Sequence, residues 1–329
     1  MAFITLNKNN FFNNLDIIAN KTKSKDKIAL VLKDNAYGHG LLEVASMAQT
    51  FGITRAVVNS SEEALKIEKY FEYILVLADF PQSYNEKIRY TINDINVINK
   101  FPSGTKVELK VDTGMHRNGI AMSEITDAKS KLKEQGLILE AVFTHHRSAD
   151  ELSSEWFWQN QNFEKVKKEF SDVRFHSCNS AALFRHDDFN EDMARVGIAA
   201  YGCLELPCGF EELGLKPVLS VYADKISSRE IKKGQRVGYG ATHTAQVDCR
   251  VSNYNFGYGD GFLRISSNNY INPNGEKLLG RVSMDNSSFL SSEETLLVFD
   301  DAKEMAKSAQ TISYEVLTSL KKKLKRKII

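Results

Sequence analysis

A lysine stands directly after an apolar run near the N-terminus, in the stretch IALVLKDNAYGHG. The run Ile28–Leu32 is typical of a buried strand, and α/β barrels carry their catalytic groups at the carboxyl ends of such strands. Lys33 therefore occupies a position where chemistry is expected, and Tyr37 follows in the next turn. A lysine kept away from water is the usual residue for forming a Schiff base with a carbonyl compound. Taken alone, however, Lys33 also fits an ordinary solvated loop.

Three later apolar runs also end in polar residues, and a fourth carries an arginine inside it, followed by Gly197 and Ile198. These residues are Lys110 and Arg117 in LKVDTGMHRNG, His145 and His146 in FTHHRSAD, Asn179 and Ser180 in FHSCNSAA, and Arg195, Gly197 and Ile198 in MARVGIAAYG. The hydroxyl of Ser180 and the amides of Gly197 and Ile198 are suited to holding a phosphate. These places offer neither a carboxylate cluster for Mg²⁺ nor closely spaced His and Cys for zinc, so no metal is expected. This set of lysine, tyrosine, arginine and amides suits an anionic cofactor that is bound through a Schiff base.

Alternating strands and helices must position these residues. The predicted strands are Ile28–Leu32, Thr54–Val58, Glu72–Ala78, a weak one near Asn93–Val97, Thr105–Val111, Leu137–Phe143, Val173–Ser177 and Met193–Ile198. Amphipathic helices are predicted over Lys8–Lys23, Leu41–Phe51, Ser61–Phe71 and Ser123–Glu134, and within Glu151–Phe170. Helix after strand at this spacing indicates parallel βαβ units, and eight of them predict a TIM-like (β/α)8 barrel. A doubly wound open sheet is the alternative.

The pattern changes after the eighth strand. Residues 201–217 are predicted to be a linker, and the segments beyond it alternate β-rich runs with Gly, Asn and Asp turns. We therefore expect an α/β barrel over residues 1–214 and a mainly β domain over residues 215–329, with the first few residues pairing with the second domain. The C-terminal stretch LKKKLKRKII carries six cations between Lys321 and Lys327. Either a solvated face or a contact with an anionic ligand or a partner subunit would explain them.

Composition narrows the class of protein. The 329 residues are 42% hydrophobic and 26% charged, as in an ordinary folded protein. The net charge of +1 gives no molecule-wide field that would favour nucleic acid. The sequence shows no secretory signal and no run long enough to span a membrane. The four cysteines lack CxxC spacing, so free thiols in a reducing compartment are expected. We predict a cytoplasmic protein.

Taken in order, these motifs resemble those of alanine racemases, fold-type III enzymes that depend on pyridoxal 5′-phosphate (PLP). The stretch VLKDNAYGHG is similar to the cofactor-lysine signature of the family and departs from it at Asp34, where alanine is usual. The motifs KVDTGMHRNG, THHRSAD, CNSAA, ARVGIAAYG, VGYGATHT, GYGDG, GRVSMD and TISYEV follow at family-like spacing. The resemblance covers nearly the whole chain and implies a barrel with a C-terminal β domain.

The resemblance assigns the cofactor to the strand ends of the barrel. The implied cofactor-binding residues are Lys33, Tyr37, His145, Asn179, Ser180, Arg195, Gly197 and Ile198. Among them, Lys33 would form the Schiff base, Tyr37 would contact the phosphate, and Arg195 would face the pyridine nitrogen with His145 behind it. A guanidinium can only donate, so that nitrogen should stay unprotonated, which suppresses decarboxylation and transamination. Related barrel decarboxylases place a carboxylate there, so Arg195 favours a racemase.

The family likeness also implies a homodimer whose active sites are shared between subunits. Tyr239 in VGYG would be the second catalytic base, contributed by the other subunit. Arg117 and the backbone at Met284 would hold the substrate carboxylate. Lys110 matches a lysine that is often carbamylated and then orients the arginine. Tyr258 would stand in the passage by which substrate enters.

The implied reaction is the interconversion of L-alanine and D-alanine, which supplies D-alanine for peptidoglycan. A proton must leave Cα from one face and return from the opposite face, so two bases are needed, Lys33 and Tyr239. A racemase for serine or for a broader set of amino acids is the near alternative. A non-catalytic PLP-binding barrel protein is the distant one, although such proteins usually lack the domain that carries VGYG and GRVSMD.

Three departures from the family pattern lead to further expectations. Many members carry a tyrosine near the C-terminus that contacts the cofactor phosphate. Counting on from TISYEV places that position at about Ile328, and no tyrosine follows Tyr314. We expect either a tail cation to replace it or, in preference, a disordered tail. His116, where glycine is common, and His146, where an aromatic residue is usual, are expected to reshape the pocket.

Overall fold

The computed structural model describes residues 1–210 and 212–329, so Glu211, within the predicted linker, lies outside the described residues. The strands are β1 Phe3–Leu6, β2 Ile28–Val31, β3 Arg55–Val58, β4 Tyr73–Val76, β5 Ile88–Ile92, β6 Lys106–Asp112, β7 Ile120–Ala121, β8 Ile138–Phe143, β9 Arg174–His176, β10 Ala194–Val196, β11 Leu219–Ile231, β12 Arg236–Val237, β13 His243–Thr244, β14 Cys249–Tyr254, β15 Ser287–Phe289, β16 Thr295–Phe299 and β17 Lys325–Ile328. Most of the predicted strands of the first part are present, with ends shifted by one or two residues.

The helices lie close to the predicted positions, and side-chain caps fix several of their starts. The α-helices are Lys8–Thr22, Leu41–Phe51, Ser61–Ile67, Ile125–Glu134, Glu155–Lys167, Ser180–Arg185, Ala302–Ser308 and Ser313–Ser319, and 3₁₀ turns cover Lys25–Lys27, Glu68–Tyr70, Ile95–Lys100, Met122–Glu124, Tyr239–Ala241 and Arg264–Ser266. The Asn7 side chain accepts the N–H of Asn10 at 3.0 Å, which satisfies a donor that the first turn leaves free. Within the described residues, no helix has the length and apolar character needed to cross a membrane.

Eight strands form a parallel barrel. They pair in the order β10, β2, β3, β4, β5, β6, β8, β9, and each pairing is parallel. Between the last and first strands, the Asp192 N–H donates to the Phe175 carbonyl at 3.1 Å and the Arg195 N–H donates to the Cys178 carbonyl at 2.9 Å. The predicted (β/α)8 architecture is confirmed, and the open sheet is excluded.

The prediction of a strand near Asn93–Val97 is wrong. The barrel strand is Ile88–Ile92, and the apolar residues after it form the 3₁₀ turn Ile95–Lys100. Asp94 accepts the N–H of Asn96 at 2.8 Å, which begins that turn. Asn and Asp side chains compete in this way for local backbone donors, so an apolar run directly behind them favours a turn over a strand.

A second sheet contains both ends of the chain. Its order is β15, β14, β11, β1, β17, and β16 also pairs with β11. Strand β17 runs parallel to β1, with Arg326 opposite Ile4, so the expectation of a disordered tail is wrong. Backbone hydrogen bonds to β1 hold this segment in place. Its charged composition did not predict a strand. The division into residues 1–214 and 215–329 stays a prediction, since one hydrophobic cluster extends through both parts.

Asn14 joins the first helix to the segment that leads into β11. Its amide nitrogen donates to the carbonyls of Ala200 at 3.1 Å and Lys216 at 2.8 Å, and its oxygen accepts the Lys216 N–H at 2.8 Å. The side chain is fully buried. Water therefore cannot replace these bonds.

We predict that Asn14→Ala lowers the free energy of unfolding by about 2–4 kcal/mol, because it leaves buried backbone groups without partners. The matched control is Asn13→Ala at the neighbouring, more accessible position, which should change it by less than about 1 kcal/mol. Urea denaturation followed by circular dichroism measures both. An equal loss of unfolding free energy in the two variants would contradict this structural role of Asn14.

Candidate active site

A cavity of about 670 Å³ opens at the carboxyl end of the barrel strands. It brings together Lys33, Tyr37, Lys110, Arg117, His145, Asn179, Ser180, Arg195, Gly197 and Ile198, and the C-terminal part of the chain adds Ile312, Tyr314 and Thr318. Each predicted residue of the barrel thus lines one site, although the residues are separated by up to 165 positions in the chain. The closed barrel makes this convergence possible because its strand ends meet around one mouth.

Lys33 and Tyr37 are presented by a left-handed turn. Asp34, Asn35, Ala36 and Tyr37 have φ between 49° and 57°, and Gly38 follows at 77°. Each such L-residue costs roughly 1–2 kcal/mol, so surrounding contacts must hold the turn in place. The sequence did not predict this left-handed turn. Glycine and asparagine are the residues that indicate such a conformation, and only Asn35 among the four positions is one of them.

Tyr37, Ser180 and Gly197 form one corner of the cavity. The Ser180 hydroxyl oxygen accepts the N–H groups of Gly197 at 3.1 Å and Ala199 at 3.3 Å, which leaves its proton to donate elsewhere. A Cβ on Gly197 would come within 3.0 Å of the Tyr37 hydroxyl. The absence of a side chain there keeps this corner open for a ligand group.

The expectation that this chain lacks a C-terminal tyrosine at the cavity is wrong. Tyr314, in TISYEV, lines the cavity, and its ring lies 5.7 Å from the Tyr37 ring. Burial, together with Tyr314 and Asp34, raises the pKa of the Tyr37 phenol, and burial raises that of Tyr314, so both are neutral donors. This tyrosine stands in the motif itself and not near Ile328, the position to which counting along the sequence pointed.

Arg195 forms the floor of the cavity and is almost fully buried. Its Nη2 donates to the carbonyls of Thr144 at 2.7 Å and Ser177 at 3.1 Å, while Nη1 donates to the His176 carbonyl at 3.2 Å and to the His176 ring Nδ1. Among the described residues, Nε has no hydrogen-bond partner. The group behind Arg195 is therefore His176, and the prediction that His145 fills this place is wrong; His145 lines the cavity instead.

His176 connects Arg195 to a buried carboxylate. Since its Nδ1 accepts from Arg195, its Nε2 carries the proton and donates to Glu108 at 2.9 Å. Tyr73 also donates to Glu108, and Arg174 does so at 3.3 Å. Burial alone would raise the pKa of the Glu108 carboxyl, but these three partners hold it below its usual value. The sequence does contain a sign of this buried network, because a glutamate inside a buried strand must be paired.

Lys110, Arg117 and His145 form the polar wall above Arg195. Asp112 accepts the N–H groups of Gly114 at 2.9 Å and of His116 at 3.1 Å, which folds the loop that carries Arg117. Burial, with Arg117 and Arg195 nearby, lowers the pKa of Lys110 to about 8. Burial and the same cations hold the pKa of His145 well below its usual value, so its ring is neutral.

The structure does not bring Tyr239, Tyr258 or Met284 into this cavity. Tyr239 is 67% exposed and Met284 is 56% exposed, both on the surface of the C-terminal part. Backbone bonds join the segments of Tyr258 and Met284: the Tyr258 N–H donates to the Ser283 carbonyl at 3.0 Å, and the Gly259 N–H donates to the Met284 carbonyl at 2.8 Å. One chain alone therefore holds only one of the two predicted bases at the cavity.

Comparison with known proteins gives matches over nearly the whole chain. The profile of the alanine racemase N-terminal domain matches residues 6–205, and that of the C-terminal domain matches residues 218–328. The alanine racemase of a Nitratiruptor species is 45% identical over 335 residues, with 99% of each chain covered. That of Campylobacter curvus is 42% identical over 340 residues, with 100% of each chain covered.

Solved structures agree with these matches. The alanine racemase of Bacillus anthracis with bound L-Ala-P superposes with a TM-score of 0.89 at 28% identity, covering 100% of this chain and 95% of that one. The alanine racemase of Clostridium difficile 630 gives a TM-score of 0.89 at 25% identity, with the same coverage. The family profiles, these relatives and the shared fold show that this chain belongs to the alanine racemase family.

Proposed function

We propose that the chain catalyses the interconversion of L-alanine and D-alanine with PLP as cofactor, as a homodimer in the cytoplasm that supplies D-alanine for peptidoglycan. The observation that carries the proposal is the convergence of Lys33, Arg195 and the Tyr37–Ser180–Gly197 corner on one cavity, in a member of this family. The cavity volume of about 670 Å³ lies in the range of small-molecule sites.

The donor set of the cavity suits PLP at both ends of the molecule. The open corner at Gly197, with the hydroxyls of Ser180, Tyr37 and Tyr314 around it, suits a phosphate, which accepts hydrogen bonds only. At the opposite end Arg195 offers a donor and no acceptor, which suits an unprotonated ring nitrogen. PLP, when bound through Lys33, supplies a conjugated ring that accepts the electron pair left at Cα when its proton is removed.

Arg195 limits the chemistry to proton exchange. The His176 ring is held with Nδ1 as an acceptor, and Glu108 fixes that tautomer from behind. The guanidinium is therefore held in one orientation and cannot pass a proton to a ligand nitrogen. Arg195 would therefore keep the ring nitrogen of bound PLP unprotonated, which would favour proton exchange at Cα over side reactions.

Two bases on opposite faces account for inversion at Cα. Lys33 rises from the left-handed turn at the cavity and would move the proton on one face. Tyr239 stands exposed and outside this cavity, so we assign the opposite face to the partner subunit's Tyr239. Each site of the proposed dimer would then combine one barrel with the C-terminal part of the other chain.

Arg117 and the backbone at the partner subunit's Met284 would hold the substrate carboxylate. Lys110 would serve Arg117 as a carbamate. Burial lowers the pKa of Lys110 to about 8, so a far larger fraction of its amines is neutral near pH 7.5 than of ordinary lysines, and only the neutral amine reacts with CO₂. The carbamate is an anion, so Arg117 and Arg195 would stabilise it.

Purified protein supplied with PLP should form D-alanine from L-alanine in a coupled assay, faster than it racemises L-serine. Lys33→Ala should lose the absorbance of bound PLP and reduce kcat/KM by at least about a thousandfold. Tyr239→Phe should retain that absorbance and lose at least about a hundredfold in rate. Full activity of Tyr239→Phe, or faster turnover of L-serine, would contradict the proposal.

A dimer of one Lys33→Ala chain and one Tyr239→Phe chain should recover about half of the wild-type activity, since one of its two shared sites is intact. Differently tagged, co-expressed chains allow this heterodimer to be purified. The control pairs Lys33→Ala with a chain that carries both substitutions, and it should stay inactive. An inactive heterodimer would place both bases in one chain.

Protein equilibrated with ¹³C-bicarbonate should give a carbamate carbon resonance by NMR that is absent in Lys110→Gln. The same variant should raise the KM for alanine more than it lowers kcat, because Arg117 loses its orienting anion. A spectrum with no difference between the two proteins would remove the carbamate from the mechanism.

A further inference from the structure

The left-handed turn at Lys33 has a second side that faces the C-terminal tail. Arg326, in β17, donates from Nε at 3.0 Å and from Nη2 at 2.8 Å to the carbonyl of Gly38. Nη1 donates to the carbonyl of Leu324 at 2.6 Å, which orients the guanidinium within its own strand segment. The tail thus contacts the turn that carries the catalytic lysine, although 288 residues separate the partners.

The carbonyls at the end of this turn need donors. The N–H of the His39 ring donates from Nδ1 to the Ala36 carbonyl at 3.1 Å and to the Tyr37 carbonyl at 3.0 Å. Gly38 supplies the next carbonyl, and Arg326 satisfies it. Three successive carbonyls at the end of a helical turn form a region of negative potential, where a cation is favourable.

The turn has little room to adjust. A Cβ on Gly38 would lie 2.0 Å from the Leu317 carbonyl of helix Ser313–Ser319, and one on Gly40 would lie 2.6 Å from Cδ of Arg326. The helix and the Arg326 stem therefore pack directly on the glycines that end the turn. His39, fully buried and stacked on Tyr201 at 4.2 Å, fills the inner side.

We propose that Arg326 is a positioning residue for the catalytic lysine: it holds the carbonyl end of the left-handed turn from which Lys33 and Tyr37 reach the cavity. This inference deepens the proposed function and rests on it, because the role of Lys33 as a catalytic residue belongs to that function. It also gives a reason for one cation in the charged tail. Lys325 and Lys327, on either side of Arg326 in the same strand, are exposed.

The chemistry of the contact requires arginine. Two N–H groups of one planar guanidinium meet the same carbonyl while a third bonds the tail, and a lysine ammonium lacks that fixed fork. Arg326→Lys should therefore retain part of the effect. Arg326→Met keeps most of the apolar stem on Gly40 and removes every donor.

The first measurement is amide hydrogen exchange by mass spectrometry on the full chain, with and without PLP. In the turn, the N–H groups of Ala36, Gly38 and Gly40 bond to the carbonyls of Leu32, Asp34 and Asn35. Arg326→Met should accelerate exchange of a peptide spanning residues 33–40 by about tenfold, the size expected from losing a charge-assisted hydrogen bond. A peptide spanning β1, which pairs with β17 through backbone bonds, should stay protected.

The second measurement is PLP titration and kinetics. Arg326→Met should weaken PLP binding by about tenfold and lower kcat while leaving the KM for alanine within about twofold, because substrate contacts lie elsewhere in the cavity. Arg326→Lys should have a PLP affinity and a kcat between those of Arg326→Met and those of the wild type. The matched control is Lys327→Met, an adjacent tail cation, which should match the wild type in every measurement.

Unchanged exchange over residues 33–40 in Arg326→Met would overturn the inference, as would equal loss of protection in β1 or equal effects of Lys327→Met. A wild-type chain without racemase activity would overturn the proposed function instead. The exchange comparison would still decide whether Arg326 holds the turn.

Discussion

The burial of the Arg195 guanidinium is the constraint on which the rest of the site depends. A charge removed from water is tolerated only when its donors are satisfied. Here the carbonyls of Thr144, His176 and Ser177 do this, and they lie at or just beyond the carboxyl ends of β8 and β9. Only a closed barrel brings those ends around β10. The architecture therefore serves the site directly, because it collects carbonyls around one cation that lines the cavity.

Prediction from sequence succeeded for polar residues in or just after the barrel strands that line the cavity. Lys33 and Ser180 follow predicted strands, Lys110 and Arg195 lie within others, and the strand ends converge in a barrel. It failed for residues that act behind the cavity. Glu108 and His176, both within predicted strands, were not recognised as part of the site, although a buried glutamate is itself a sign of a network. Contacts between distant segments, such as β17 with β1, follow from three-dimensional pairing that no local pattern contains.

Two tyrosines of the C-terminal part lie in different places relative to the cavity. Tyr314 from the C-terminal part lines the cavity of its own barrel, whereas Tyr239 lies exposed and outside it. The shared active site that we propose would explain why a large aromatic side chain stands on the surface near a turn of glycines. Association of two chains would then be a condition for catalysis, since one barrel by itself would have a base on one face only.

The C-terminal tail contacts two segments that are far apart in the sequence. Arg326 bonds the turn of Lys33, which belongs to the chain's own cavity. A few residues earlier, Lys323 pairs with Asp260 at 2.8 Å, and the Lys321 N–H donates to the Asp260 carbonyl at 3.0 Å. Asp260 stands in the GYGDG loop, two residues after Tyr258. Since β17 is itself fixed by parallel pairing with β1, the tail joins the turn that carries Lys33 to the loop that carries Asp260 within one chain.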